Sequence, residues 1–169
     1  MPDQKNHHPL ALALFSLLSA LIVAHAIYHY TVLPDRVATH FGLWGEPDAW
    51  GAKSVFFIWY GIIGLLLVAT WAWVKRTLTP GHTSWLNIPN KEYWLAPERQ
   101  DETLAWLRTG LLLFGSGTLL FLLDLMHQSF QVSLGKATKL THIVTSFAIY
   151  LTFFVAWIIS IYRRFGRKG

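Results

Sequence analysis

The chain has no cysteine among its 169 residues. That excludes disulfides, thiolate metal sites and cysteine nucleophiles. It is also poor in charge. Only 14% of residues are charged, against 53% hydrophobic, where a soluble domain carries about a quarter charged residues. A chain with so few charges and so many apolar residues is read as integral to a membrane. Several activities also lack a signature. There is no G-x-S-x-G, no H-E-x-x-H, no Walker loop and no dinucleotide-binding glycine pattern. Nothing therefore marks an enzyme. The net charge of +5 lies in residues flanking apolar runs, so it does not point to nucleic acid.

Four apolar runs are present, at about 9–30, 54–74, 104–126 and 140–162. At about 1.5 Å per residue, each is long enough to cross a bilayer as a helix. The expected fold is all-α, a single membrane domain built as a four-helix transmembrane bundle. Two long hairpins are its simplest arrangement. The first run also fits a cleaved signal peptide, with Lys5 before it and Ala24-His25-Ala26 as a small-x-small site. It continues to Tyr28 and Tyr30 as an aromatic anchor, so we read it as a retained helix. His7 and His8, in the polar tail 1–8, read as a solvated terminus. Pro97, Glu98, Asp101 and Glu102 form a helix-start pattern leading into the third run. Residues 127–139 read as a short polar loop.

Charge asymmetry predicts the orientation. Nine Lys and Arg flank one side, in the tails and in segment 75–103, against Arg36, Lys53, Lys136 and Lys139 on the other. The positive-inside rule then puts both termini in the cytoplasm, in a bacterial inner membrane, with the loop 31–53 outside. Arg108, just inside the third run, can reach the headgroups.

The outer loop Leu33–Lys53 is unlike an ordinary connector. It holds Pro34 and Pro47, Gly42, Gly45 and Gly51, and the aromatic residues Phe41, Trp44 and Trp50. Gly45-Glu46-Pro47-Asp48 reads as a turn with local side-chain bonds from Asp48. His40, Phe41, Gly45, Glu46, Asp48 and Lys53 are candidate binding residues, with Asp124. On the other side, Asn90, Lys91, Tyr93 and Trp94 are candidates for contact with a cytoplasmic partner.

These residues carry a resemblance. Leu33-Pro34-Asp35-Arg36-Val37, then Thr39-His40-Phe41, Gly45-Glu46-Pro47-Asp48 and Lys53 resemble the signature of a bacterial membrane-protein family, domain of unknown function 1648. That domain also opens the SdpI-type immunity proteins. Asn87 to Arg99 is similar to a segment of its short members. The two stretches cover about a fifth of the chain. The family usually has proline where Ala38 stands and often asparagine where Gly42 stands. The resemblance implies a small polytopic membrane protein and, through the SdpI type, immunity to a peptide toxin and signalling.

Five histidines gather at the outer level: His25, His29, His40, His127 and His142. Asp124, the lone acid inside an apolar run, joins them. Ionisable groups in membrane segments mark a function or a specific pairing. Three readings stand. The cluster is a structural polar brace; it holds a metal or a haem on His25, His29, His40, Asp124, His127 or His142; or it is a ligand, peptide or proton-handling pocket. For the whole chain, the leading expectation is a non-enzymatic binding or sensing module, immunity-like, with no cofactor. It would recognise an external peptide or membrane partner through Leu33–Lys53. A metal- or haem-binding accessory subunit and a structural subunit of a larger complex are the alternatives.

Because no native cysteine interferes, topology is directly testable. In intact cells, a membrane-impermeant maleimide is expected to label Leu43→Cys and to reach Ser84→Cys only after lysis. The opposite pattern inverts the orientation.

Overall fold

A computed structural model describes residues 7–167. The polar tail before His7, with Lys5, and Lys168 at the other end lie outside the described residues, as do the side chains of His7 and Lys75. Helix α1 spans His7–Val32. A two-stranded hairpin follows, β1 Arg36–Phe41 and β2 Pro47–Ala52. Then come α2 Lys53–Thr77, the short α3 Lys91–Trp94, α4 Pro97–Ser133 and α5 Ile143–Phe165. Four of the described helices are long and apolar enough to cross a membrane. The chain is a mostly helical, multi-pass membrane protein, as its apolar runs predict.

The packing is not that of two separate hairpins. Helix α4 sits at the centre and packs against α1, α2 and α5. Its closest partner is α1. Ala11, Phe15, Leu18, Ile22 and His29 are all buried on α1, spaced by threes, fours and one full heptad. They form one stripe along the helix. Leu112, Ser116, Leu119 and Phe130 do the same on α4. The two helices run parallel in steady register: Phe15 lies against Gly115 near one end, and His25 against His127 near the other. Within a bilayer this pairing rests on close packing rather than on exclusion of water.

Glycines on α4 set the approach of α5. A Cβ at Gly110 would collide with the Trp157 ring, and one at Gly117 with Phe153. Phe121 stacks on Tyr150, with ring centroids 4.4 Å apart. The Tyr150 hydroxyl is 3.0 Å from Thr118 Oγ1. These pairs descend in antiparallel register, so α5 lies along α4 with its other faces toward lipid.

Helix α1 begins at His7, inside the segment read as a polar tail, and α4 and α5 depart further from the apolar runs. Helix α4 has 37 residues and extends at both ends past 104–126. Its start at Pro97, with Glu98 in the first turn, is the helix-start pattern seen in the sequence. Its end at Ser133 corrects the reading of 127–139 as a loop. Gln128, Ser129 and Ser133 are polar yet buried, because the hairpin and the start of α5 cover them and use their hydrogen bonds. Helix α5 begins at Ile143 rather than Leu140, because Leu140 is buried under the hairpin and its N–H donates to the Gly45 carbonyl at 2.9 Å.

The glycine contacts separate packing from mere presence in a helix. Gly117→Ala is expected to cost about 1–3 kcal/mol through overpacking, read as a lower unfolding midpoint in detergent. Gly64→Ala, with nothing within 4 Å of the added Cβ among the described residues, is expected not to lower the midpoint, since alanine is the better helix former.

Candidate functional site

Residues 33–53 fold into a hairpin because a tight glycine-containing turn lets the chain reverse. Arg36 pairs with Ala52, Val37 with Gly51 and Ala38 with Trp50, and the register then shifts around His40. The tight turn is Gly42–Gly45, closed by Gly45 N–H to the Gly42 carbonyl at 2.9 Å. This corrects the turn expected at Gly45–Asp48. Gly45 has φ +87°, and a Cβ there would meet the Leu140 carbonyl oxygen at 2.9 Å. Only glycine suits both the angle and the contact. Pro47 opens β2. Asp48, rather than bonding its own backbone, reaches across to His40 Nδ1 at 2.5 Å. That pair is exposed and contributes little to stability.

The hairpin is clamped to the bundle. The Ala38 N–H donates to Ser133 Oγ at 3.0 Å, and Ser129 Oγ lies 3.5 Å from the Ala38 carbonyl. The free edge of β1 is thus closed by two hydroxyls one turn apart on α4. Phe41 packs with Ala38, Val132 and Leu140. Lys53 ties the base together. Its N–H donates to the Asp35 carbonyl at 2.8 Å, and its Nζ to the Leu33 carbonyl at 2.8 Å. Nζ also lies over the Tyr30 ring. Glu46 faces Lys139 at 3.6 Å in the open. Leu43 and Trp44, at the tip, stay exposed at 91% and 73%.

The candidate histidines divide into separate groups. His25, His29 and His127 come together, each offering a ring nitrogen within 4.8 Å of the others. His25 Nε2 is 3.3 Å from His127 Nδ1. His29 Nδ1 donates to the His25 carbonyl at 2.9 Å, and His127 Nε2 is 3.3 Å from Gln131 Nε2. Phe130 lies against both α1 imidazoles, 5.4 Å from His25 and 4.7 Å from His29 between centroids. His40 belongs to the hairpin pair. His142 precedes α5, and its N–H donates to Gln128 Oε1 at 2.9 Å. Asp124 points to α5: its Oδ2 accepts from Gln128 Nε2 at 2.7 Å and from Ser146 Oγ. Asp124 and His142 therefore form a brace between α4 and the start of α5. The haem geometry does not fit this cluster. Two nitrogens on opposite faces of a haem iron are about 4 Å apart with the porphyrin between them. At 3.3 Å, His25 and His127 leave no room for that plane.

At the opposite end of the bundle, the side chains expected to contact a cytoplasmic partner are largely engaged within the chain. Asn90 Nδ2 and Trp94 Nε1 both donate to the Phe165 carbonyl, at 2.8 and 3.1 Å, and so cap α5. Asn90 adopts a left-handed φ of 51° to do so. Lys91 Nζ donates to the Ser84 carbonyl. Tyr93 carries the Arg99 guanidinium on its ring at 4.0 Å. Arg108, expected at the headgroups, instead donates from Nε to the Leu78 carbonyl at 2.9 Å and closes the end of α2.

Sequence reasoning missed Gln128, Ser129, Phe130, Gln131 and Ser133. The four-residue spacing of Ser129 and Ser133 was the available signal. It places both hydroxyls on one helical face.

Comparison with known proteins puts the family signal around the hairpin. Residues 17–64 match the family model described as Domain of unknown function (DUF1648). That span runs from the middle of α1 through the hairpin into α2, and it confirms the resemblance carried by Leu33–Lys53. The 87–99 stretch lies outside it. An uncharacterized protein of Archaeoglobus fulgidus is 26% identical over 92 residues, covering 52% of this chain and 49% of that protein. The chain thus spans about half the length of that relative. No solved structure matches.

The serine clamp is open to test. Ser133→Ala leaves the Ala38 N–H without its acceptor, at a cost of about 1–3 kcal/mol. Faster amide exchange in 36–41 is the expected result, with Ser133→Thr restoring protection. Unchanged exchange in Ser133→Ala would show that the clamp is not needed.

Proposed function

We propose that this chain, with its DUF1648 match, is a non-enzymatic recognition module of the cytoplasmic membrane. Both termini are cytoplasmic and the hairpin is its outward-facing receptor. The ligand is an extended peptide, either free or the exposed segment of another membrane protein. In the immunity-like form of this reading the peptide is a secreted toxin.

One observation carries the proposal: the two edges of the hairpin are treated differently. The outer edge of β1 is sealed by Ser129 and Ser133 of α4. The other edge of β2, Pro47–Ala52, has no strand beside it among the described residues; there the Trp50 carbonyl accepts only a side-chain bond, from Arg36 Nη2 at 3.1 Å, which an incoming strand would displace. An open strand edge is a template for another chain, and adding a strand is a common way to hold a peptide. Asp48, Ala49 and Trp50 are all exposed along it. Trp44 at the tip and Trp50 on the strand supply aromatic surface at low entropic cost. The clamps at Gly45, Ala38 and Lys53 hold the edge in place before any partner arrives, which reduces the ordering cost of binding.

A photo-reactive side chain at position 49, with a second at position 44, tests the reading in living cells. Peptide adducts at position 49 that disappear on Trp50→Ala are the expected result. Phospholipid adducts alone at both positions would show that the hairpin merely lies in the headgroups and would overturn the proposal.

A further inference from the structure

The three histidines on α1 and α4 are not used by the recognition reading. We infer that His25, His29 and His127 form a binding site for one divalent first-row transition ion, of the zinc or copper(II) type. The inference is independent of what the hairpin binds.

The argument starts from helix geometry. His25 and His29 are four residues apart, so they project from one face of α1 on successive turns. The parallel seam with α4 brings His127 to the same level. Three imidazoles thus converge from two rigid elements, and each ring is held. Phe130 forms a wall against the two on α1. His29 is only 5% exposed.

The spacing suits an ion. Two imidazole nitrogens, each about 2.0–2.1 Å from a tetrahedral metal, lie about 3.3–3.4 Å apart. His25 Nε2 and His127 Nδ1 are 3.3 Å apart, and all three donor nitrogens fall within 4.8 Å. A small rotation of the His29 ring brings the third into range.

The outer contacts suit ligands too. A metal-bound histidine commonly donates its other N–H to a carbonyl, which fixes the tautomer. His29 does this: its Nδ1–H bonds the His25 carbonyl, which leaves the lone pair on Nε2. His127 has Gln131 beside its Nε2. A flip of that amide presents its oxygen to accept the Nε2 proton, and Nδ1 is then free to bind. His25 differs: its Nε2 is the nitrogen that faces His127, and its Nδ1 is buried with no hydrogen-bond partner among the described residues.

The donor set selects the ion. Three imidazoles with no thiolate favour zinc, copper or nickel over magnesium or calcium, which take oxygen ligands. Three protein ligands leave a fourth position for water or an incoming group. His127 is the exposed member, so that position is reached from its side.

The test uses protein purified without a histidine tag and stripped with a chelator. His7 and His8 are both changed to Gln as background, to silence the tail. Calorimetric titration with zinc is expected to show one ion per chain. His29→Gln and His127→Gln should each weaken binding at least about 100-fold, and Gln131→Ala about 10-fold. His40→Gln and His142→Gln should leave it unchanged, since neither ring belongs to the cluster. His127 is exposed, so its variant is expected to keep the helical circular dichroism of the parent. Copper(II) paramagnetic resonance should show several equatorial imidazole nitrogens, reduced in number in His127→Gln. Absent binding, affinity indifferent to His127, or an oxygen-dominated copper signal would each overturn the inference.

Discussion

The seam between α1 and α4 is the constraint on which the other parts depend. Lipid offers a helix no hydrophobic reward for pairing, since the tails are as apolar as leucine. Close fit must therefore do the work, and here it does so through a stripe of α1 side chains set against small and apolar α4 positions. Phe15 against Gly115 is its clearest contact. The seam fixes which turns of α1 and α4 share a level. It thereby brings three histidines together although two of them are separated from the third by about a hundred residues of sequence. It also fixes where the C-terminal end of α4 emerges, and that end is what the hairpin lies on.

The hairpin illustrates a second constraint. Backbone N–H and C=O groups close to a bilayer have few water partners, so they must be matched within the chain. Irregular loops answer this poorly. A two-stranded ribbon answers half of it, by pairing one edge of each strand with the other. Ser129 and Ser133 then complete the outer edge of β1 with side-chain hydroxyls. Asn90, Trp94 and Arg108 do the same for carbonyls at the C-terminal ends of α5 and α2. These polar residues in an apolar chain are helix-end and edge-strand partners first.

Much of this was legible in the sequence, for reasons that differ by element. The four crossings were plain because long apolar runs have few other solutions in a chain so poor in charge. The start of α4 was plain because Pro97 and Glu98 act locally. Its end was not: whether His127–Ser133 continues as helix depends on what covers it, and the cover lies about ninety residues earlier in the chain. The gathering of His25, His29 and His127 was half legible. Depth in the membrane could be read by counting residues from the apolar boundaries, which put five histidines and Asp124 at one level. Rotation about each helix axis could not, and rotation is what sends Asp124 toward Ser146 and His127 toward His25. Asp48 was misread as a local turn former because its true partner, His40, is across the strand. The inner residues Asn90 and Trp94 were seen as noteworthy, but their carbonyl partner at Phe165 lies over seventy residues away.

Helix α4 has one more property, which follows from its length alone. Thirty-seven residues make a rod of about 55 Å, while the hydrocarbon layer is about 30 Å thick. The rod is uninterrupted: it carries the hairpin clamp at one end, and at the other Glu102 holds Arg164 of α5. A stiff rod longer than the layer it crosses behaves as a lever with the bilayer as its fulcrum. A small tilt imposed where it stands clear of one leaflet returns, reversed in direction, where it stands clear of the other.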